Sequence, residues 1–158
     1  AEGDGRVRDG DLVVLSAGVL ADGYVAEVAR TLVVGEPSDA VGALYRRRDE
    51  LWDRLVAACR PGATTSTLLD AYQQAGEALP AMPVPHGLGL GFDPQVVSPG
   101  LRATAETDVL EQGMVLALTA YVWEQGVGAV LTRDAVLITA DGAEILSTVP
   151  AYGEAVHG

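Results

Sequence analysis

Gly10-Asp11-Leu12-Val13-Val14-Leu15-Ser16-Ala17-Gly18, followed by Tyr24-Val25-Ala26-Glu27-Val28-Ala29-Arg30-Thr31, is the stretch on which the fold turns. Leu12 to Ala17 and Tyr24 to Val34 are rich in valine and leucine, and Leu20-Ala21-Asp22-Gly23 between them carries a turn signal. The two runs therefore read as a β-hairpin. Ser16 and Glu27 then fall on neighbouring strands.

Past Gly35-Glu36-Pro37, Ser38 is placed to cap a helix in which Val41, Leu44, Tyr45, Leu51, Trp52, Leu55 and Val56 recur near helical spacing. Arg60-Pro61-Gly62 stops it. Within it, Arg46-Arg47-Arg48 reads as a solvated face. Thr64 or Thr65 caps a second helix with Leu68, Leu69, Tyr72, Ala75 and Leu79 along one side. Pro80, Pro83 and Pro85 break the chain before His86, and Phe92 to Val109, interrupted by Pro94, Pro99 and Gly100, reads as loop. Strands are expected at Met114 to Trp123, near Gly128 to Thr139, and at Glu144 to Ser147, with Ala140-Asp141-Gly142 joining the last two. A hairpin, two helices and then a sheet indicate an α+β domain.

Composition supports one folded unit across the 158 residues, with residues 1–11 as lead-in and 149–158, which include His157, as tail. Hydrophobic residues make up 49% and charged residues 20%, a balance that builds a core and argues against disorder. The formal charge of -12 repels phosphate backbones and anionic lipid, so neither nucleic acid nor a membrane surface is expected as a partner. The apolar stretches around Leu12 to Ala21 and Met114 to Trp123 are too short to span a bilayer. The N-terminus lacks the basic and apolar regions of a signal peptide, so a cytoplasmic protein is expected. Cys59 is the single cysteine; it excludes an internal disulfide framework and reads as a small core residue.

Several motifs together carry a family resemblance. Ser16 stands just before Ala17-Gly18, and Glu27 lies eleven residues on, shortly before Arg30-Thr31. His86-Gly87-Leu88-Gly89 forms a His-Gly-x-Gly run, and Thr119 follows Gly113-Met114-Val115 by six residues from the glycine. Arg133 sits in Thr132-Arg133-Asp134-Ala135-Val136, ahead of Thr139-Ala140-Asp141-Gly142. This pattern, running from Gly10 to about Thr148, resembles the creatinase, methionine aminopeptidase and prolidase superfamily, the pita-bread metallopeptidases. The resemblance implies a pita-bread fold lacking the N-terminal part of the family's usual catalytic domain. It also implies a homodimer or a partner chain covering the surface that segment would occupy, and a peptide or small-molecule ligand.

In the resembling family the five matched positions are Asp, Asp, His, Glu and Glu, and they hold two divalent ions that activate water. Here they read Ser16, Glu27, His86, Thr119 and Arg133. Four carboxylates have become one carboxylate and one cation. Neutral hydroxyls are poor ligands for such ions, and a guanidinium repels them, so no metal cofactor is expected. A one-residue slip to Asp134 restores a carboxylate only if a bulge turns that side chain to the other strand face. The sharper expectation is that Arg133 pairs with Glu27 and holds the former site together without ions. A second family histidine, seven residues past His86, is Asp93 in this chain.

His86 beside its glycines reads as a hydrogen-bonded relic of the fold or as a ligand-binding or acid-base group. Gly87, Gly89 and Gly91 permit a tight backbone path, and no Lys-Ser or Lys-Thr follows them to suggest a phosphate loop. Tyr121 and Trp123 share one strand face, as packing or as a ligand wall. The leading functional expectation is a domain that has lost peptidase chemistry and serves binding, regulation or assembly. An alternative is metal-independent hydrolysis of a carbon-nitrogen bond by His86, Glu27 and Asp93, as creatinase implies for the fold. A working metalloaminopeptidase or Xaa-Pro peptidase is a third.

Overall fold

The computed structural model describes residues 6–64, 66–88 and 109–148. The hairpin forms as expected, with β1 (Leu12–Ala21) paired to β2 (Tyr24–Val33) from Leu12↔Val33 through Ala21↔Tyr24. Asp22 and Gly23 between them have φ of 50° and 83°, the two positive angles of a two-residue type I′ connection.

α1 (Asp39–Ala58) starts at Ser38, whose hydroxyl accepts from the Val41 amide at 3.3 Å. Its buried stripe is Val41, Leu44, Tyr45, Arg48, Leu51 and Leu55. The expected solvated face of three arginines is therefore wrong at Arg48. That residue keeps the three- and four-residue spacing of the apolar stripe and is buried, whereas Arg46 is exposed. Arg47 reaches across the surface to Glu77 and Glu124, each at 2.8 Å. α2 (Ser66–Ala75) buries Leu68, Leu69 and Tyr72 as expected but does not extend to Leu79. Gly76, at φ 72°, turns the chain out of the helix first. Thr64 lies just ahead of α2, with its hydroxyl 2.9 Å from that of Ser66, and Thr65 lies outside the described residues.

The remaining strands are β3 (Pro85–Gly87), β4 (Val115–Glu124), β5 (Gly128–Thr139) and β6 (Gly142–Ile145). β3 was not expected, because the prolines around it signal a break. Pro85 is nevertheless tolerated as the first residue of an edge strand. The expected last strand also shifts, starting at Gly142 and ending at Ile145. The described strands form one sheet in the order β1-β2-β5-β4-β3, with β6 also on β5.

β2 meets β5 only at Ala29↔Arg133 and Arg30↔Thr132; further along, the same edge of β5 pairs with β6 from Val136↔Ile145 to Thr139↔Gly142. The sheet consequently forks, and the first half of β2 diverges from β5.

Strand alternation assigns the faces. Leu116, Leu118, Ala120 and Val122 join Val130, Val136 and Ile138 in the core cluster with Leu44, Leu51, Leu55, Leu68 and Tyr72 from the helices. The alternate residues, including Ala117, Thr119, Arg133 and Ala135, point to the opposite face. Tyr72 bridges core and sheet edge. Its hydroxyl donates to the Thr119 carbonyl at 3.1 Å and accepts from the Tyr121 amide at 3.0 Å. These groups lie just past the point where the Thr119 amide bonds to the Val84 carbonyl at 2.7 Å, so the phenol continues the work of β3. Burial raises the Tyr72 phenol's pKa well above its ordinary value. Cys59 is fully buried in the core, as expected.

Candidate functional site

Residues distant in sequence meet on the face of the sheet away from the helices. Ser16, Ala29, Arg133 and Thr119 lie in one row across β1, β2, β5 and β4. The adjacent row contains His86, Ala117 and Ala135, and Glu27, two residues before Ala29, is level with it beyond the fork. Ala117 and Ala135 have only methyl side chains, so His86 and Glu27 can meet above them.

His86 Nε2 contacts Glu27 Oε1. An ionised carboxylate can only accept, so this bond requires the proton on Nε2. Arg133 Nη1 donates to Glu27 Oε2 at 2.9 Å, and Arg133 Nε donates to Thr119 Oγ1 at 2.9 Å. The side chains of Glu27, His86 and Arg133 are 21%, 23% and 18% exposed, while Thr119 is fully buried. The cluster is therefore half-sheltered, with both carboxylate oxygens engaged. Four of the five sequence-matched positions come together; Ser16 shares their row but lies exposed on edge strand β1, outside these hydrogen bonds. Asp93 lies outside the described residues, as do Gly89 and Gly91.

Asp134 faces the other way. Arg30 Nη2 donates to its Oδ1 at 2.8 Å, the Ser147 hydroxyl donates to the same oxygen, and Arg30 Nη1 also reaches the carbonyls of Ala29 and Arg133 at 2.9 Å each. The neighbouring strand residues Arg133 and Asp134 thus serve opposite faces, and no bulge exchanges them.

A hollow of about 190 Å³ opens in the fork beside the cluster, lined by Tyr24, Val25, Glu27, Leu88, Val115 and Leu146 among others. Its walls are chiefly apolar, and Glu27 is the charged residue among them. Sequence reading did not find this hollow, because it arises from the divergence of β2 and β6. Tyr121 is half-buried and Trp123 is 50% exposed on their shared strand face.

The geometry can be tested against a pair of divalent ions. Such ions need several anionic oxygens with free lone pairs. Here the donors and acceptors are turned toward one another, and a guanidinium occupies the space beside the carboxylate. Among the described residues, no group of three or more His, Cys, Asp or Glu could hold a metal ion. This donor set does not fit the pair.

The profile of metallopeptidase family M24 matches residues 1–140. The chain belongs to the M24 family. It is 32% identical over 151 residues to the Xaa-Pro dipeptidase of Pyrococcus furiosus, covering 91% of this chain and 42% of that protein. The Xaa-Pro dipeptidase of Pyrococcus horikoshii is 29% identical, at 91% and 41% coverage. The solved prolidase from P. furiosus superposes with a TM-score of 0.76 at 30% identity, covering 94% of this chain and 44% of that one. A methionine aminopeptidase structure from Thermotoga maritima shares the fold, with a TM-score of 0.65 at 23% identity and coverage of 87% and 64%. The M24 match and these structures establish the pita-bread fold, and the chain spans about two-fifths of the length of the Xaa-Pro dipeptidases it matches. No described helix is long and apolar enough to cross a membrane.

Proposed function

We propose that this M24 domain has exchanged the family's dinuclear metal site for an ion-free cluster of Glu27, His86, Arg133 and Thr119, and that it serves a binding, regulatory or assembly role in place of metal-dependent peptide hydrolysis. The observation that carries this reading is the 2.9 Å bond from Arg133 Nη1 to Glu27 Oε2. A fixed positive charge there neutralises the remaining carboxylate and opposes a divalent ion. The chemistry left to the cluster is hydrogen bonding at the side of an apolar hollow, which suits a peptide or small-molecule ligand.

Metal titration of two proteins tests the proposal. The wild-type chain is expected to take up no manganese, whereas Ser16→Asp, Thr119→Glu and Arg133→Glu combined are expected to take it up. All five matched positions lie within this chain, so the comparison does not depend on the rest of the relatives' length. Equal manganese binding by both proteins would overturn the reading.

The contact between His86 and Glu27 favours a second reading, metal-independent hydrolysis of a carbon-nitrogen bond, in which Glu27 orients an imidazole that moves a proton. Chelator-resistant turnover of an Xaa-Pro dipeptide or a related small amide, lost in His86→Ala, would select it over the binding role.

A further inference from the structure

β1 pairs with β2 along one side, and among the described residues no strand pairs with its other side. The Asp22-Gly23 loop closes on Ala21↔Tyr24, a pair that exchanges hydrogen bonds, and such pairs recur at every second residue of the ladder. The Val34 amide, bonded to the Asp11 carbonyl at 2.9 Å, keeps that alternation past the start of the strand. Val14, Ser16, Gly18 and Leu20 therefore turn their backbone N–H and C=O groups outward, to the open edge. Nothing in β1 blunts this edge. Leu12 to Ala21 contain no charge and no proline, and their register with β2 has no bulge. By contrast, β3 has three residues and opens with Pro85, and β6 has four and carries Glu144. Val14, Leu15, Val19 and Leu20 are 50–70% exposed, so apolar side chains stand bare on both faces of β1.

The order of these residues decides what fits the edge. Val14-Leu15-Ser16-Ala17-Gly18-Val19-Leu20 is symmetric in size about Ala17, with two aliphatic residues at each end and small ones between. A second copy of the strand, antiparallel and turned about Ala17, sets Val14 against the partner's Leu20, Leu15 against the partner's Val19 and Ser16 against the partner's Gly18. In that register outward backbone groups meet outward backbone groups, and Ala17 meets the partner's Ala17 in a close pair without hydrogen bonds. Asp11 and Asp22 fall opposite the partner's Gly23 and the partner's Leu12, so like charges do not face one another across the seam. Moving the axis to Ser16 would leave Val14 and Leu15 opposite the partner's Gly18 and the partner's Ala17, where little packs against them.

We infer that two copies of this chain join edge to edge through β1, as an antiparallel pair about a two-fold axis at Ala17 that makes one continuous sheet. The charge of -12 on each copy opposes the contact, so the dimer tightens as salt screens that repulsion. A strand edge is a small interface, and the dimer dissociates on dilution. The inference does not rest on the exchange proposed at the Glu27 cluster.

Sedimentation velocity of the full chain across a dilution series, at low and high salt, tests the association, and cysteine cross-linking tests the register. A monomer–dimer equilibrium is expected, with the dimer persisting to greater dilution at high salt. Under mild oxidation Ala17→Cys should form a covalent dimer, because the axis brings the two thiols within disulfide reach. Leu15→Cys and Val19→Cys should each fail to link to themselves but should link to one another when mixed. Cys59 is buried and adds no bridge of its own. Ala17→Lys, at an exposed position, should weaken the dimer by about tenfold or more although it lowers the overall repulsion between copies. Should Ala17→Lys fail to fold, the cross-linking pattern still decides. A monomer at every concentration, growth beyond the dimer, or Leu15→Cys linking to itself as readily as Ala17→Cys would overturn the inference.

Discussion

Arg133 and Glu27 are joined at 2.9 Å from β5 to β2 at the point where the sheet forks, and Arg133 also holds Thr119 at 2.9 Å. The guanidinium is thus the centre of the cluster, linking three strands. Replacing it with Glu would place two carboxylates beside one another and leave the Thr119 hydroxyl without its donor. Arg133→Glu is expected to lower stability by about 1–3 kcal/mol, or to open a weak metal site that offsets the loss. Urea denaturation with and without manganese reads both effects. Unchanged stability together with no metal uptake would contradict the structural role of Arg133.

Arg30 and Asp134 form a buried pair on the other face. Asp134→Ala would leave the guanidinium of Arg30 without its carboxylate, and a loss of about 3–5 kcal/mol is expected in urea denaturation. A loss below about 1 kcal/mol would mean that the remaining partners of Arg30 satisfy it without Asp134.

Tyr72→Phe keeps the ring in the core and removes the hydroxyl that bonds both the Thr119 carbonyl and the Tyr121 amide. Leaving those backbone groups unpaired should cost about 1–3 kcal/mol. Amide exchange at Tyr121 should also accelerate. Wild-type exchange at that amide in the variant would contradict the bridging role.

Burial pushes the Cys59 thiol up from 9.0 to about 12. The folded state therefore holds the thiol protonated, a contribution to stability fully present below pH 9 and lost as pH rises toward 12. Near pH 8 the thiolate fraction should be about a thousandfold below that of the unfolded chain. Alkylation of the native protein should be slow and become fast in denaturant. Rapid native alkylation would contradict the buried placement.

Much of this architecture was legible in local patterns. The Asp22-Gly23 turn, the Ser38 cap and the strand pattern of residues 115–139 each carry their own signal, because turn geometry and apolar period act over a few residues. The motif spacing also marked Glu27, His86, Thr119 and Arg133, and the expected pairing of Arg133 with Glu27 is present in the structure. β3 was hidden, because its pairing with β4 is a long-range contact that overrides the proline signal of Pro83 and Pro85. Arg48 was misread as part of a charged run, although its position three residues from both Tyr45 and Leu51 placed it on the buried stripe. The hollow beside Glu27 had no local signal at all, since it depends on where β2 leaves β5 and β6 joins it.

The central claim is that this M24 domain no longer forms the family's metal pair, and metal content tests it most directly. The protein would be purified without chelator, incubated with manganese, cobalt and zinc, dialysed, and examined by elemental analysis. The account predicts metal far below one ion per chain. Near-stoichiometric metal would contradict it, showing that the Glu27, His86 and Arg133 cluster opens to admit ions.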